Sequence, residues 1–116
     1  MNAPPQLQQL DDDISVAPQL DPAAMEWAAG AGFKSVVNNR PDFEGGPNQP
    51  TSAAIEAAAL AAGLRYVYLP VHPAVQNSQD VERFAALLSE LPKPLLAFCR
   101  SGARSGKLYR AATSSG

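Results

Sequence analysis

Four short runs of apolar and β-branched residues alternate with four segments of helical pattern along the chain. The runs are ISVA, FKSVVNN, LRYVYLPV and LLAF. This alternation implies a parallel sheet with helices on both faces, because each right-handed crossover connection places its helix against one face of the sheet. We therefore predict a three-layer α/β fold with a central, mostly parallel, four- to five-stranded sheet.

Residues that commonly begin helices precede the first three helical segments. A side-chain oxygen at this position accepts a hydrogen bond from a backbone N–H of the first turn. The predicted capping residues are Asp21, Thr51 or Ser52, and Asn77 or Ser78. The last helix is predicted over residues 104 to 112, directly after the segment that holds the only cysteine.

The length of 116 residues and the hydrophobic content of 46% are those of one globular domain. Residues 1 to 10 are polar and hold two prolines and three glutamines, so we expect a flexible leader there. Residues 11 to 116 are then expected to form a single catalytic domain. Within it, ISVA is expected to be an edge strand, because Pro18 ends it.

Charge and the scarcity of metal-binding side chains exclude several classes of function. A net charge of -2 gives no general attraction to nucleic acid or to an anionic membrane. No apolar run approaches the roughly 20 residues that span a bilayer, and no secretion signal is recognised, so we expect a cytoplasmic protein. One cysteine and one histidine cannot build a structural zinc site. We expect neither a metal nor a cofactor.

The segment CRSGARS follows the predicted strand LLAF and precedes the last helix. A turn of this kind directs several backbone N–H groups into one concavity at a helix N-terminus, where they and the helix dipole favour an anion. The predicted anion-binding residues are Arg100, Ser101, Gly102, Ala103, Arg104 and Ser105. We therefore expect a small anionic substrate at this turn.

Cys99 lies at the base of the turn, where the same field favours the thiolate form of its side chain. A thiolate in this place is a candidate nucleophile. Gly102 can adopt positive φ in the turn, and the hydroxyl of Ser101 or Ser105 can donate a hydrogen bond to the sulfur. The alternative is that Cys99 is a buried thiol of the hydrophobic core.

Two further loops are expected to reach the same rim, because ligands of parallel sheets bind at the carboxyl ends of the strands. They follow the second and third predicted strands. Asp42 lies in the first loop and His72 in the second, and these residues are the two candidates for a general acid. Arg40 could bind the anion, or it could pair with Asp42 or Glu44.

Three pieces of the sequence resemble a known bacterial family, in the order in which that family carries them. They are ISVAPQLDPAAMEWAAGAGFKSVVNNRPD, AAGLRYVYLPV and FCRSGARS. The family is the beta-lactamase-hydrolase-like protein, phosphatase-like domain. The resemblance implies a fold like that of dual-specificity cysteine phosphatases, with the cysteine loop cradling an oxyanion. Family members are fused to sulfide-oxidising and lactamase-fold enzymes, which implies a sulfide-oxidising partner enzyme.

The spacing of cysteine and arginine distinguishes two chemistries. The phosphatases carry the pattern H-C-x5-R-[ST], whereas here Phe98 replaces the histidine, and Arg104 follows Cys99 after five positions instead of six. CRSGARS also resembles the active-site loop of single-domain rhodaneses, in which the cysteine accepts a sulfane sulfur as a persulfide. The loop thus points to sulfur, whereas the family's fold points to phosphate.

We therefore expect a rhodanese-type sulfurtransferase, in which Cys99 takes sulfur from thiosulfate or a persulfide and Arg100 or Arg104 binds the donor. The general acid that a phosphatase needs is missing from its usual place, and this favours sulfur transfer. A cysteine-dependent phosphatase that hydrolyses phosphoesters through a phosphocysteine is the first alternative. A non-catalytic module that binds anions or relays sulfur to a partner enzyme is the second.

Overall fold

The structure is a computed structural model that describes residues 6–114. Its strands are β1 (Gln8–Asp11), β2 (Ile14–Ala17), β3 (Ser35–Asn38), β4 (Arg65–Tyr68) and β5 (Leu95–Phe98). Its helices are α1 (Ala23–Gly30), α2 (Ser52–Ala61), α3 (Ser78–Glu90) and α4 (Ala103–Thr113). The sheet order is β1-β2-β5-β3-β4, and all neighbours except β1 and β2 pair in parallel. The predicted three-layer, mostly parallel α/β fold is confirmed.

Each face of the sheet carries its own hydrophobic core. Successive side chains of a strand point to opposite faces, so Val36 and Val37 of β3 enter different cores. The helix residues in these cores include Met25 and Ile55 on one face and Phe84 and Leu108 on the other. Helices α1 and α2 therefore cover one face, and α3 and α4 cover the other.

The predicted flexible leader is wrong for its last three residues. Residues 8–10 belong to β1, which pairs antiparallel with β2 and places Gln8 opposite Val16 and Gln9 opposite Ser15. Strand β2 is therefore covered by β1 and is not an edge strand. Mostly exposed polar residues build β1, so its sequence carries no hydrophobic alternation. Residues 1 to 5 of the predicted leader lie outside the described residues.

The predicted helix starts are confirmed, and the alternatives are resolved. Asp21 Oδ1 accepts a hydrogen bond from the Ala24 N–H at 2.9 Å, and Thr51 caps α2. Asn77 caps α3 in a reciprocal pair of hydrogen bonds with Asp80. No helix formed by residues 6–114 is long and apolar enough to cross a membrane.

Strands β3, β4 and β5 run parallel, so their carboxyl ends bring three loops to one end of the sheet. The loops follow Asn38, Tyr68 and Phe98. Hydrogen bonds join the first loop to the others, since the Asn39 N–H donates to the Phe98 carbonyl at 2.8 Å and the Val71 N–H donates to the Asn39 carbonyl at 3.0 Å. The candidate site lies here.

Candidate active site

The side chain of Cys99 is buried at the end of β5, with a residue exposure of 1%. Its Sγ accepts a hydrogen bond from the Gly102 N–H at 3.1 Å. Gly102 has a φ of 95°, as the sequence predicts, and a Cβ at this position would lie 3.4 Å from the carbonyl carbon and oxygen of Ala17. The turn thus needs a glycine to place an N–H on the sulfur.

Several backbone N–H groups around Cys99 have no hydrogen-bond acceptor within residues 6–114. They belong to Arg100, Ser101, Arg104 and Ser105. The Gly102 N–H is already on the sulfur, and the Ala103 N–H donates to Ser101 Oγ at 3.3 Å. Four donors therefore remain available to an anion, together with the N-terminal dipole of α4.

A pocket of about 250 Å³ opens beside Cys99. It is lined by His72, Pro73, Ala74, Gln76, Cys99, Arg100, Ser101, Ala103, Arg104 and Lys107. Arg100 and Lys107 are exposed cations, and no aspartate or glutamate of the described chain lines the pocket. Nor do residues 6–114 group three or more His, Cys, Asp or Glu side chains in a way that could hold a metal ion.

Arg104 lies in the pocket wall, but its guanidinium is held by Glu44. Its Nη2 donates to Glu44 Oε1 at 2.9 Å, and its Nη1 donates to Oε2 at 3.1 Å and to the Val71 carbonyl at 3.1 Å. This bidentate pair occupies the Nη1–Nη2 edge of the guanidinium, whereas the Nε–H makes no hydrogen bond within residues 6–114. Arg104 lines the pocket beside Cys99 with this Nε–H edge unpaired, and its predicted anion-binding role stays a prediction.

Arg40 pairs with the same carboxylate. Its Nε donates to Glu44 Oε1 at 3.0 Å, and its Nη1 donates to Gln19 Oε1 at 3.0 Å. Burial acts to raise the pKa of Glu44, but hydrogen bonds and charges from Arg104 and Arg40 outweigh it, so the pKa lies below its ordinary value. Of the alternatives for Arg40, pairing with Glu44 is the one observed. Arg40 lines an adjoining pocket and not the one beside Cys99.

Asp42 lies in the predicted loop, but its carboxylate faces the start of α2. Its Oδ1 accepts the Ser52 N–H at 2.7 Å, and its own N–H donates to Tyr68 Oη at 2.8 Å. It does not line the pocket beside Cys99. The structure therefore gives Asp42 a helix-capping contact in place of the predicted general-acid position.

His72 is exposed and lines the pocket, as expected for a residue of its loop. Its Nδ1 accepts the Ala74 N–H at 3.0 Å. In a neutral imidazole this arrangement leaves the proton on Nε2, which can donate a hydrogen bond but cannot accept one. Of the two predicted acids, only His72 is thus brought to Cys99.

Ser105 is fully buried, and its hydroxyl donates to Asn39 Oδ1 at 2.8 Å instead of to the sulfur. Asn39 in turn donates through Nδ2 to the Leu69 carbonyl at 3.0 Å. The predicted serine-to-sulfur hydrogen bond is replaced by the backbone bond from Gly102. Asn39 therefore links the loops that follow β3 and β4 to the first turn of α4. In the sequence, the only sign of this role is that Asn39 directly follows a buried strand.

Gln76 and Lys107 also line the pocket and are not among the predicted site residues. Lys107 belongs to the run from Arg100 to Arg110 that carries cations and no acid, and this pattern could have identified it. Gln76 lies in a loop of mixed composition, and no sequence signal marks it.

Comparison with known proteins gives a family and a set of related structures. The family model of the beta-lactamase hydrolase-like protein, phosphatase-like domain, matches residues 6–115. The chain is 33% identical over 100 residues to a beta-lactamase hydrolase-like protein of Agrobacterium fabrum, and the match covers 86% of this chain and 23% of that protein. The chain thus spans less than a quarter of the length of this relative.

Among solved structures, a candidate phosphatase of Neisseria meningitidis is 35% identical with a TM-score of 0.83, over 93% of this chain and 78% of that one. Kinase associated phosphatase, solved with its catalytic-site cysteine replaced by serine, is 10% identical with a TM-score of 0.65. That likeness covers 100% of this chain and 79% of the other, and it shows the fold alone. The expected cysteine-phosphatase-like fold is confirmed. The chain belongs to the beta-lactamase hydrolase-like protein, phosphatase-like domain family.

Proposed function

We propose that this domain is a cysteine-dependent phosphatase that hydrolyses phosphoesters through a phosphocysteine at Cys99. The observation that carries the proposal is a buried sulfur, held by the Gly102 N–H at 3.1 Å, beside a pocket with unpaired backbone donors. The family and the fold support phosphoryl chemistry over the sulfur transfer that the loop sequence favours. A sulfurtransferase is therefore the second candidate here, not the first.

In the first step, the Cys99 thiolate attacks phosphorus, and the bond from phosphorus to the ester oxygen breaks. The free backbone N–H groups and the cations Arg100 and Lys107 stabilise the three non-bridging oxygens. Arg104 contributes by fixing the pocket wall through Glu44. The unpaired Nε–H of Arg104 is a further donor in this wall, and the site thus attracts a dianionic phosphoryl group.

The leaving oxygen receives little help, because no carboxylic acid of the described chain lines the pocket. His72 could protonate it only after becoming an imidazolium, which would convert Nδ1 into a donor facing the Ala74 N–H. We therefore expect the enzyme to favour esters whose leaving group is stable as an anion, as in aryl phosphates.

The test is release of inorganic phosphate from 4-nitrophenyl phosphate by the wild-type protein and by Cys99→Ser. We expect activity in the wild type and its loss in the variant. Lys107→Ala should raise KM by roughly two- to fivefold, the size of one exposed charge contact. Lys93→Ala removes the same charge from an exposed site at the other end of β5 and serves as the matched control. Wild-type rates no higher than those of Cys99→Ser would refute the proposal.

A rhodanese-type sulfurtransferase is the second candidate, and the five-position spacing from Cys99 to Arg104 favours it. Here Sγ attacks the outer sulfur of thiosulfate, the S–S bond breaks and sulfite leaves with the bonding electrons. Cyanide then removes the outer sulfur as thiocyanate and restores the thiolate. Neither step needs a general acid, which agrees with the lining of the pocket.

Thiosulfate and cyanide assays beside the phosphatase assay distinguish the two candidates. A sulfur atom added to Cys99, seen by mass spectrometry, with thiocyanate formation faster than phosphate release, would favour the sulfurtransferase. Binding of sulfate with neither turnover would favour the non-catalytic anion-binding module.

A further inference from the structure

A second pocket, the arginine pocket, adjoins the one beside Cys99. It has a volume of about 430 Å³, a size that suits part of a small molecule. It is lined by Arg40, Glu44, Gly45, Pro73, Arg100 and Arg104. Three arginines thus face a single carboxylate, and the pocket carries an excess of positive charge. Because Arg100 and Arg104 also line the pocket beside Cys99, the two pockets share part of their walls.

Arg40 has one donor group that the protein does not use. The residue is only 9% exposed, and its Nε and Nη1 donate to Glu44 Oε1 and Gln19 Oε1. Its Nη2 makes no hydrogen bond within residues 6–114, yet this atom stays accessible to solvent. A guanidinium offers five N–H donors and no acceptor. An anion that enters the arginine pocket can therefore accept a hydrogen bond from Nη2.

Gly45 leaves the space beside this nitrogen open. A Cβ at Gly45 would lie 2.6 Å from Arg40 Nη2 and 3.2 Å from its Cζ, which is closer than side chains pack. Gly45 is not among the glycines with positive φ, so its backbone conformation is one that other residues adopt. Gly45 is also exposed, so the core does not require a small residue here. The missing side chain thus keeps Nη2 uncovered in the arginine pocket.

We propose that the arginine pocket binds a second anionic group of the substrate, so that the domain prefers small phosphoesters whose leaving group carries a further phosphate or carboxylate. This inference rests on the proposed phosphatase function. The reacting phosphoryl group occupies the pocket beside Cys99, and the second anion accepts from Arg40 Nη2 across the shared wall. Charge-assisted hydrogen bonds to a part of the substrate that does not react raise kcat/KM.

The test compares esters that differ by one anionic group. Release of inorganic phosphate is measured from phenyl phosphate, from ortho, meta and para phenylene bisphosphate, and from the corresponding carboxyphenyl phosphates. The bisphosphate rates are halved, because these esters hold two equivalent phosphoryl groups. For at least one isomer, kcat/KM should exceed that of phenyl phosphate by about tenfold, the size of one hydrogen bond to a charged group. The two series distinguish a phosphate from a carboxylate as the second anion.

Four variants locate the source of this preference. Arg40→Met removes the donor and should reduce the preference to about twofold, the size of an exposed charge contact. Arg83→Met removes the same charge from an exposed site on α3 and should leave the preference unchanged. Gly45→Ala keeps every charge but places a methyl group against Nη2, so it should also lower the preference. Gly30→Ala adds a methyl group where no atom lies within 4 Å and is its matched control.

The outcomes distinguish this inference from the function on which it rests. A wild-type protein that releases no phosphate above Cys99→Ser from any of these esters overturns both. An active wild type without the preference, or with a preference that Arg40→Met retains, overturns the second anion site and leaves the phosphatase intact. Each variant is judged by the ratio of its own two substrates, so partial misfolding does not change the result. If Arg40→Met does not fold, Gly45→Ala decides, and an unchanged preference in that variant overturns the inference.

Discussion

Replacing Glu44 by glutamine removes the one negative charge between two largely buried guanidiniums. The Glu44 side chain is 18% exposed, and those of Arg40 and Arg104 are each 11% exposed. Three hydrogen bonds of 2.9 to 3.1 Å join the carboxylate to the two arginines. An amide of the same size can accept on one oxygen only, and its NH₂ group faces a cation. The substitution therefore leaves two like charges close together without a counter-ion.

The expected loss of unfolding free energy is about 2–3 kcal/mol. Removing one partner of a fully buried ion pair costs about 3–5 kcal/mol, and the partial exposure of Glu44 lowers this figure through solvent screening. At roughly 4 °C per kcal/mol for a chain of this size, the melting temperature should fall by about 8–12 °C. Urea unfolding at pH 7, followed by circular dichroism, measures the change.

The same difference should depend on pH. The folded-state pKa of Glu44 lies below its ordinary value of 4.5, because the two arginines favour the ionised form over the cost of burial. A lowered pKa contributes stability that is complete above the unfolded pKa and is lost as pH falls through the folded pKa. The gap between wild type and Glu44→Gln should therefore be constant near neutrality and shrink below about pH 4.5.

Glu56→Gln is the matched control, because Glu56 is exposed on α2 and makes no ion pair within residues 6–114. It changes the net charge equally and should cost less than about 0.5 kcal/mol. Equal effects of the two substitutions, or a Glu44→Gln gap that does not shrink in acid, would refute the reasoning. In that case the carboxylate would contribute no more than a surface charge.

Three further outcomes are expected. Gly102→Ala and Gly63→Ala both place alanine at positive φ, and each should lower the free energy of unfolding by roughly 1–2 kcal/mol. Only Gly102→Ala should also abolish activity, because it disturbs the N–H that donates to Cys99 and the close contact with Ala17. Asp42→Ala should lower stability by about 1 kcal/mol through the start of α2 while leaving kcat unchanged, and a loss of kcat with an altered pH profile would restore Asp42 as the acid. Turnover of an alkyl phosphate should be slower than that of 4-nitrophenyl phosphate by roughly 10²–10⁴, and equal rates would reveal an acid in the site.

The sequence predicts the parallel part of the fold well, because local signals decide it. Strands β3 and β5 are apolar runs, and capping residues such as Asp21 and Asn77 mark the helix starts. Strand β1 could not be predicted in the same way. Its pairing with β2 depends on backbone hydrogen bonds, which a polar sequence supplies as well as an apolar one.

In the candidate site, too, local features could be predicted from the sequence and contacts between distant residues could not. Cys99 and its turn are contiguous in sequence, so the position of the sulfur and the positive φ of Gly102 follow from the motif. The partners of Arg104 and Ser105 are Glu44 and Asn39, which are 60 and 66 residues away in the chain. Spacing within a loop cannot reveal such partners, because only the closed sheet brings them together.

The hydrogen bond from Ser105 to Asn39 also limits how the loop can change in evolution or design. Adding one residue to the loop would place an arginine six positions after Cys99, as in the phosphatase pattern. If the extra residue shifted the register of α4, its side chains would rotate by about 100° and move by about 1.5 Å. Ser105 would then turn away from Asn39, and Leu108 would leave its core. The packing of α4 on the sheet therefore constrains the length of this loop. A longer loop that shifted α4 would need a new hydrogen bond and a new core contact to hold the helix in place.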